Sequence, residues 1–219
     1  MNSGRDSLLY RNGLSLVLLG CMLLSLGGQV FAGWRVYNTE RLEHDAAALT
    51  LPQYLISGHF VSATFENWES EFLQMAMYVL LTVTLRQKGS AESRPLSPDQ
   101  ENERIDPGPK PWPVRMGGLW KTLYGHSLAI AFGLLFVVSF ALHLHGSWQH
   151  ERAERLLQGE DPISLGHYVQ EAQFWFESFQ NWQSEFLAVL ALVVLSIWLR
   201  QKDSPQSKPV EAPHAQTGV

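Results

Sequence analysis

Two stretches of this chain run without Asp, Glu, Lys or Arg for long enough to cross a bilayer: Leu14–Phe31 (LSLVLLGCMLLSLGGQVF) and Leu123–Leu144 (LYGHSLAIAFGLLFVVSFALHL). Spanning takes about 20 mostly apolar residues, so both read as transmembrane helices. The averages conceal this, because mean hydropathy over the 219 residues is only −0.07. Two further runs, Phe72–Leu85 and Phe186–Leu199, are 14 residues each. At ~1.5 Å per residue they cover ~21 Å of a ~30 Å hydrocarbon core. To span, they must recruit residues upstream, from about Asn67 and Asn181.

The chain also repeats itself. Shifting it by 114 residues aligns the two halves without a gap from Trp34 to Pro95. FENWESEFL (Phe65–Leu73) falls on FQNWQSEFL (Phe179–Leu187) with seven identities in nine positions, and LRQK at Leu85–Lys88 falls on LRQK at Leu199–Lys202. Trp34 meets Trp148, and Tyr54 meets Tyr168. Each half then holds one long and one short apolar helix, and an even number of spans gives both halves the same orientation, as parallel repeats. A cleavable signal peptide at the N-terminus, suggested by Arg5, Arg11 and the Val30-Phe31-Ala32 ending, would leave the halves unequal, so the first run is expected to stay as a span.

Between the halves, residues 89–120 form a Pro-rich stretch, and 203–219 have the same polar character. Both read as disordered. Of 16 Lys and Arg, 12 lie in the N-terminus, this linker with its flanks, and the tail; only Arg35, Arg41, Arg152 and Arg155 lie in the connections within each half. The positive-inside rule then places both termini and the linker in the cytoplasm. Thirteen of 21 acidic residues lie on the opposite side, giving about 4 − 13 = −9 outside and 12 − 8 = +4 inside. The modest net charge of −5 argues against nucleic-acid binding. The one cysteine, Cys21, excludes a disulfide framework or a Cys-based metal site within one chain.

The repeated Phe-x-Asn-Trp-x-Ser-Glu-Phe-Leu block is the sharpest chemical signal. With helices starting near Asn67 and Asn181, Glu71 and Glu185 lie one turn in. Asn67, Glu71 and Thr82 then share one face, as do Asn181, Glu185 and Ser196. Since a lipid-facing carboxylate is costly, these stripes are expected to face the bundle interior as a candidate ion- or proton-binding pair. The competing structural reading makes each Asn an N-cap and each Glu a first-turn residue favoured by the helix dipole. Trp68 and Trp182 suit an interfacial aromatic belt, and Arg86, Lys88, Arg200 and Lys202 read as snorkelling anchors. Six histidines, His143 and His145 among them, fall on the expected outer side and read as wet interfacial residues; no metal site is expected. His143 aligns with Gln29, and Glu66 and Glu69 align with Gln180 and Gln183, so the halves differ at these acids. Gly20, Ser25, Gly27, Gly28, Gly133 and Ser139 would permit close helix approach. Around the outer ends, Leu51–Phe65 and Leu165–Phe179 show helical amphipathic spacing and read as short interfacial helices or, equally, as lid helices packed on the bundle.

On these blocks, from Asn12 (NGLSLVLLG) through Lys208 and most specifically at Phe65–Leu73 and Leu85–Glu92 (LRQKGSAE), the chain resembles a bacterial family of small four-span membrane proteins of unknown function. The resemblance implies the architecture and no activity. The expected fold is all-α: a polytopic membrane protein with spans at about 14–32, 67–86, 123–145 and 181–200, in repeats 1–88 and 121–202. Its expected place is the bacterial inner membrane, with the bilayer, a second copy or another membrane protein as partner and no cofactor. Small-cation or proton transport or sensing through Glu71 and Glu185 is the leading functional expectation. A non-catalytic membrane scaffold is the alternative, and a quinone- or haem-linked redox subunit is a third.

Overall fold

In the computed structural model, which describes residues 8–101 and 105–218, all the regular elements are helices. Arg5 and Arg104, counted above among the cytoplasmic charges, lie outside the described residues, as do the rest of 1–7 and 102–104 and the last residue of the tail. Helices α1 (Leu8–Glu43) and α6 (Ser127–Leu157) have 36 and 31 residues, or ~54 and ~46 Å. Both are long and apolar enough to cross a membrane. Leu14, Leu24, Leu134 and Val137 each expose more than half of their surface. α6 starts four residues later than the expected 123 because the chain breaks at His126, after α5 (Gly118–Gly125).

The shorter apolar runs sit in α3 (Gly58–Thr84) and α8 (Ala172–Leu195). These helices start nine residues before Asn67 and nine before Asn181 (67 − 58 = 9; 181 − 172 = 9). Nothing between Gly58 and Asn67, or between Ala172 and Asn181, breaks a helix: there is no Pro and no further Gly. The two asparagines are therefore mid-helix residues, and the reading of them as N-caps is overturned. The expected outer amphipathic segments divide between short helices, α2 (Leu51–Leu55) and α7 (Leu165–Tyr168), and the first turns of α3 and α8. Gln53 Oε1 closes the start of α2 by accepting from Thr50 N at 2.9 Å and Thr50 Oγ1 at 2.8 Å.

Local geometry recurs at the 114-residue interval. α1 ends with Ala46 N donating to Arg41 O (2.9 Å), and α6 with Glu160 N donating to Arg155 O (2.8 Å). The residues before them, Asp45 and Gly159, are both left-handed, at φ 56° and 77°. Trp34 Nε1 donates to Leu49 O at 2.7 Å and Trp148 Nε1 to Ile163 O at 3.0 Å. Gln87 N donates to Ser93 Oγ and Gln201 N to Ser207 Oγ, both at 2.9 Å.

The chain divides into two compact units, each built from pieces of both halves. The first comprises Met1–Thr64 and Leu144–Tyr168. Its core holds Tyr37, Tyr54 and Tyr168, and α3 meets α6 where a Cβ on Gly146 would lie 2.5 Å from Ser62 N. Gly33 likewise leaves room for the Tyr54 hydroxyl. By contrast, Gly20, Gly27, Gly28 and Gly133 have open space where a Cβ would stand, so the expected close approach falls on other glycines.

The second unit comprises Phe65–His143 and Val169–Val219. Here α3 meets α8, with Gln74 Nε2 donating to Glu185 O at 2.6 Å. The start of the linker and the tail, expected to be disordered, are tied together instead. Lys208, almost fully buried, donates Nζ to the carbonyls of Gly89, His214 (3.0 Å) and Gln216 (2.8 Å). Gly218 N donates to Ser90 O, and Gly89 N to Thr217 Oγ1. Five-residue α4 (Trp112–Met116) and α5 also order the far end of the linker. An ammonium among three carbonyls supplies order that composition does not reveal.

Candidate functional site

The residues singled out by the repeat are spread over different surroundings. Glu71, Asn67, Lys88 and Lys202 are exposed, and Glu185 is half-buried. Thr82 turns its hydroxyl onto Tyr78 O (2.8 Å), whereas Ser196 is buried against Ser90, with the two hydroxyls 2.9 Å apart. Arg86 folds back onto carbonyls in the last turn of α3, at Thr82 and Val83, and Arg200 onto those just past the end of α8, at Ser196 and Ile197. Trp68 stacks edge-on with Phe65, at 5.2 Å between centroids.

A different set of polar groups is enclosed within the second unit. In α3, Glu66 and Glu69 lie three residues apart on one face. In α8, Phe174, Glu177, Ser178 and Asn181 follow i, i+3, i+4, i+7 and share a face as well. α6 contributes His143. Glu69, His143, Phe174 and Ser178 have no solvent exposure at all. His143, expected as a wet interfacial residue, is therefore a core residue, because α6 carries it into this interhelical space.

Glu69 Oε2 lies 3.1 Å from His143 Nδ1, and Trp182 Nε1 donates to the other oxygen of Glu69 at 3.1 Å. Asn181 Nδ2 donates to Glu66 Oε1. Gln173 Nε2 donates to Glu177 Oε1 at 2.6 Å. One donor atom from each of Glu66, His143 and Glu177 falls within 4.8 Å of the others. Aromatic rings flank the group: Phe174 is 5.1 Å from the His143 ring, and Phe140 is 5.7 Å from Phe174.

Burying a carboxylate costs several kcal/mol or more unless charge and hydrogen bonds compensate. The polar partners of these three acids are amides, an indole and one imidazole. One fully buried carboxylate, Glu69, with the half-buried Glu66 and Glu177 beside it and one imidazole facing them among the described residues, makes a natural seat for a cation. Ser178 Oγ adds a second sign: it is fully buried and has no hydrogen-bond partner among the described residues, on the helix face that carries Glu177 and Asn181.

Within this group the repeated block marks only Asn181 and Trp182. The signal for the rest lay in where the halves differ: Glu66, Glu69 and His143 stand opposite Gln180, Gln183 and Gln29, and Glu177 opposite Ala63. In the first unit, Gln29 Nε2 donates to Thr64 Oγ1 at 3.3 Å. These are the counterparts of His143 and Ser178. The same scaffold positions are thus filled with neutral groups there.

No curated protein and no solved structure matches the chain. A family model described as Domain of unknown function (DUF6766) matches residues 5–219, nearly the whole length. The chain is a member of that family.

Proposed function

We propose that this chain is a four-span membrane protein of two tandem repeats that binds a cation in the enclosed Glu66–Glu69–His143–Glu177 group. The observation that carries the reading is the zero exposure of both Glu69 and His143 at 3.1 Å separation, with two further carboxylates beside them. The recurring caps and turns support the tandem arrangement, with α3 and α8 as the second span of each repeat, and the distribution of Lys and Arg supports cytoplasmic termini. The partner positions Gln29, Ala63, Gln180 and Gln183 are neutral, and a ligand specific to the charged set accounts for that difference.

The test uses full-length protein in detergent micelles and in liposomes, against protons, Na+, K+, Mg2+, Ca2+, Mn2+ and Zn2+. A saturable rise in melting temperature or a flux with at least one of these is expected. Both signals should vanish when Glu69→Gln and His143→Gln are combined. A protein indifferent to every cation, or a signal untouched by that pair of changes, overturns the reading in favour of a membrane scaffold. A second reading keeps Glu71 and Glu185 as the binding pair, favoured because Gln74, one turn from Glu71 on α3, donates to the main-chain oxygen of Glu185 on α8. It predicts that Glu71→Gln with Glu185→Gln removes the signal instead.

A further inference from the structure

We propose that Glu66, His143 and Glu177 together take one divalent first-row transition-metal ion of the Mn(II), Fe(II) or Zn(II) class. The inference rests on the cation-site reading above and names the ion. Three features of the group point to such a metal rather than to an alkali or alkaline-earth cation.

The first is the donor set. Two carboxylates and an imidazole converge within 4.8 Å of one another from three different helices. Imidazole is a good ligand for Zn, Fe and Mn and a poor one for Ca2+ and Mg2+, which prefer oxygen alone. A site built for Ca2+ would gain nothing from His143 at its centre.

The second is the support behind the imidazole. Glu69 Oε2 stands 3.1 Å from His143 Nδ1, which favours the tautomer with the proton on Nδ1 and the lone pair on Nε2. A carboxylate behind a histidine in this way is the common outer partner of metal-ligating imidazoles, fixing tautomer and ring orientation. Trp182 Nε1 holds Glu69 from its other oxygen, and Asn181 holds Glu66. Glu69 is in this reading a positioning residue, not a ligand.

The third is Ser178, whose enclosed hydroxyl has no hydrogen-bond partner among the described residues and lies on the α8 face of Glu177 and Asn181. A buried hydroxyl left this way is costly, because it has given up its hydrogen bonds to water without replacement. A metal-bound water in the group would supply the missing partner. The amide set Gln29, Gln180 and Gln183 with Ala63 offers no comparable ligands at the related positions, so one ion per chain is expected, not two.

The experiment is metal titration of chelator-stripped, full-length protein in detergent with Mn2+, Zn2+ and, as a spectroscopic probe, Co2+. One ion bound per chain, and a visible Co2+ band, are expected. Glu66→Gln combined with Glu177→Gln should abolish both. Glu69→Gln should weaken affinity about 10- to 100-fold. Glu71→Gln with Glu185→Gln should leave stoichiometry and spectrum unchanged. Should a variant fail to elute as a folded species, displacement of Co2+ from the wild type by Zn2+, but not by a large excess of Mg2+ or Ca2+, decides the matter alone. Binding of Mg2+ or Ca2+ in preference overturns the metal class. A response to protons or monovalent ions only, lost in the Glu69→Gln, His143→Gln pair, overturns the metal and leaves the cation site standing. Two ions per chain, or binding that survives loss of Glu66 and Glu177, overturns the ligand assignment.

Discussion

Glu69 and His143 meet at 3.1 Å with neither side chain reaching solvent. Removing one member of such a pair strands the other in a low-dielectric setting, at about 3–5 kcal/mol. Glu69→Ala and His143→Ala should each cost about that much. Replacing both with Gln, the residue at the partner positions Gln183 and Gln29, should cost clearly less than the sum of the two single Gln changes. A double-mutant cycle by chemical denaturation in micelles measures this. Additive costs would mean that the two groups do not stabilise one another.

The helix crossing in the first unit has a separate sensitivity. A Cβ on Gly58 would meet main-chain atoms of His150, Gly146 and Gln149, and main chain cannot swing aside as a side chain can. Gly58→Ala should therefore destabilise the protein by about 2 kcal/mol or more despite alanine's better helix propensity. Gly27→Ala, where nothing lies within 4 Å, should be neutral or slightly stabilising. Thermal unfolding followed by tryptophan fluorescence compares the two; equal effects would place the tight crossing elsewhere.

What could be read from sequence and what could not divide on physical lines. The two charge-free runs and the duplication follow from local composition and spacing, and α1 and α6 occupy them. The enclosed site is not legible in this way. It depends on α3 and α8 beginning nine residues earlier than the expected starts at Asn67 and Asn181, which puts Glu66 and Glu177 on the same long helices as the apolar runs. The order of the tail is not legible in local sequence either, because Lys208 bonds a carbonyl at Gly89, 119 residues away. Prolines and polar residues describe the chain's local preference, and one buried ammonium overrides it.

That ammonium gives a prediction for the tail. Hydrogen bonds to a charged group contribute about 1.5–3 kcal/mol each when buried, and Lys208 makes three, to Gly89, His214 and Gln216. Lys208→Met should release 209–218 and loosen 89–93 together, without unfolding the long helices. Hydrogen exchange at Gly218, whose N–H is held by Ser90 O, should speed up at least 10-fold. Unchanged protection there would mean that the other contacts suffice.

His59 provides a pH test. It accepts or donates at Nδ1 to the Tyr54 hydroxyl at 3.1 Å, stacks on Tyr37 at 4.8 Å and faces His150 edge-on at 5.1 Å. Burial, and then the neighbouring His150, push its pKa below the usual 6.5, with Glu40 acting in the other direction. A depressed histidine pKa means that the unfolded chain binds the proton more readily than the folded one. Stability from this residue is therefore full above pH 6.5 and falls as the pH drops below it. Melting in detergent at ~pH 7.5 and ~pH 5.5 should show a loss that His59→Gln reduces. A wild-type and variant with the same pH slope would remove His59 as a cause.

The related turns at Gly89 and Asp203, and at Asp45 and Gly159, permit an exchange of residues between halves. All four are left-handed, at φ 84°, 65°, 56° and 77°, and Asp tolerates that region at a cost of roughly 1 kcal/mol. Gly159 has nothing within 4 Å of its missing Cβ, so Gly159→Asp should cost only the backbone term. At Gly89 a Cβ would lie 2.7 Å from His214 O and 3.0 Å from Ile197 Cγ2. Gly89→Asp should therefore cost clearly more, and should loosen the tail as Lys208→Met does, since Lys208 and Thr217 both bond the Gly89 main chain. Denaturation midpoints and hydrogen exchange at 212–218 separate the two substitutions; equal costs and an undisturbed tail at both would show that the Gly89 turn has room that this packing denies it.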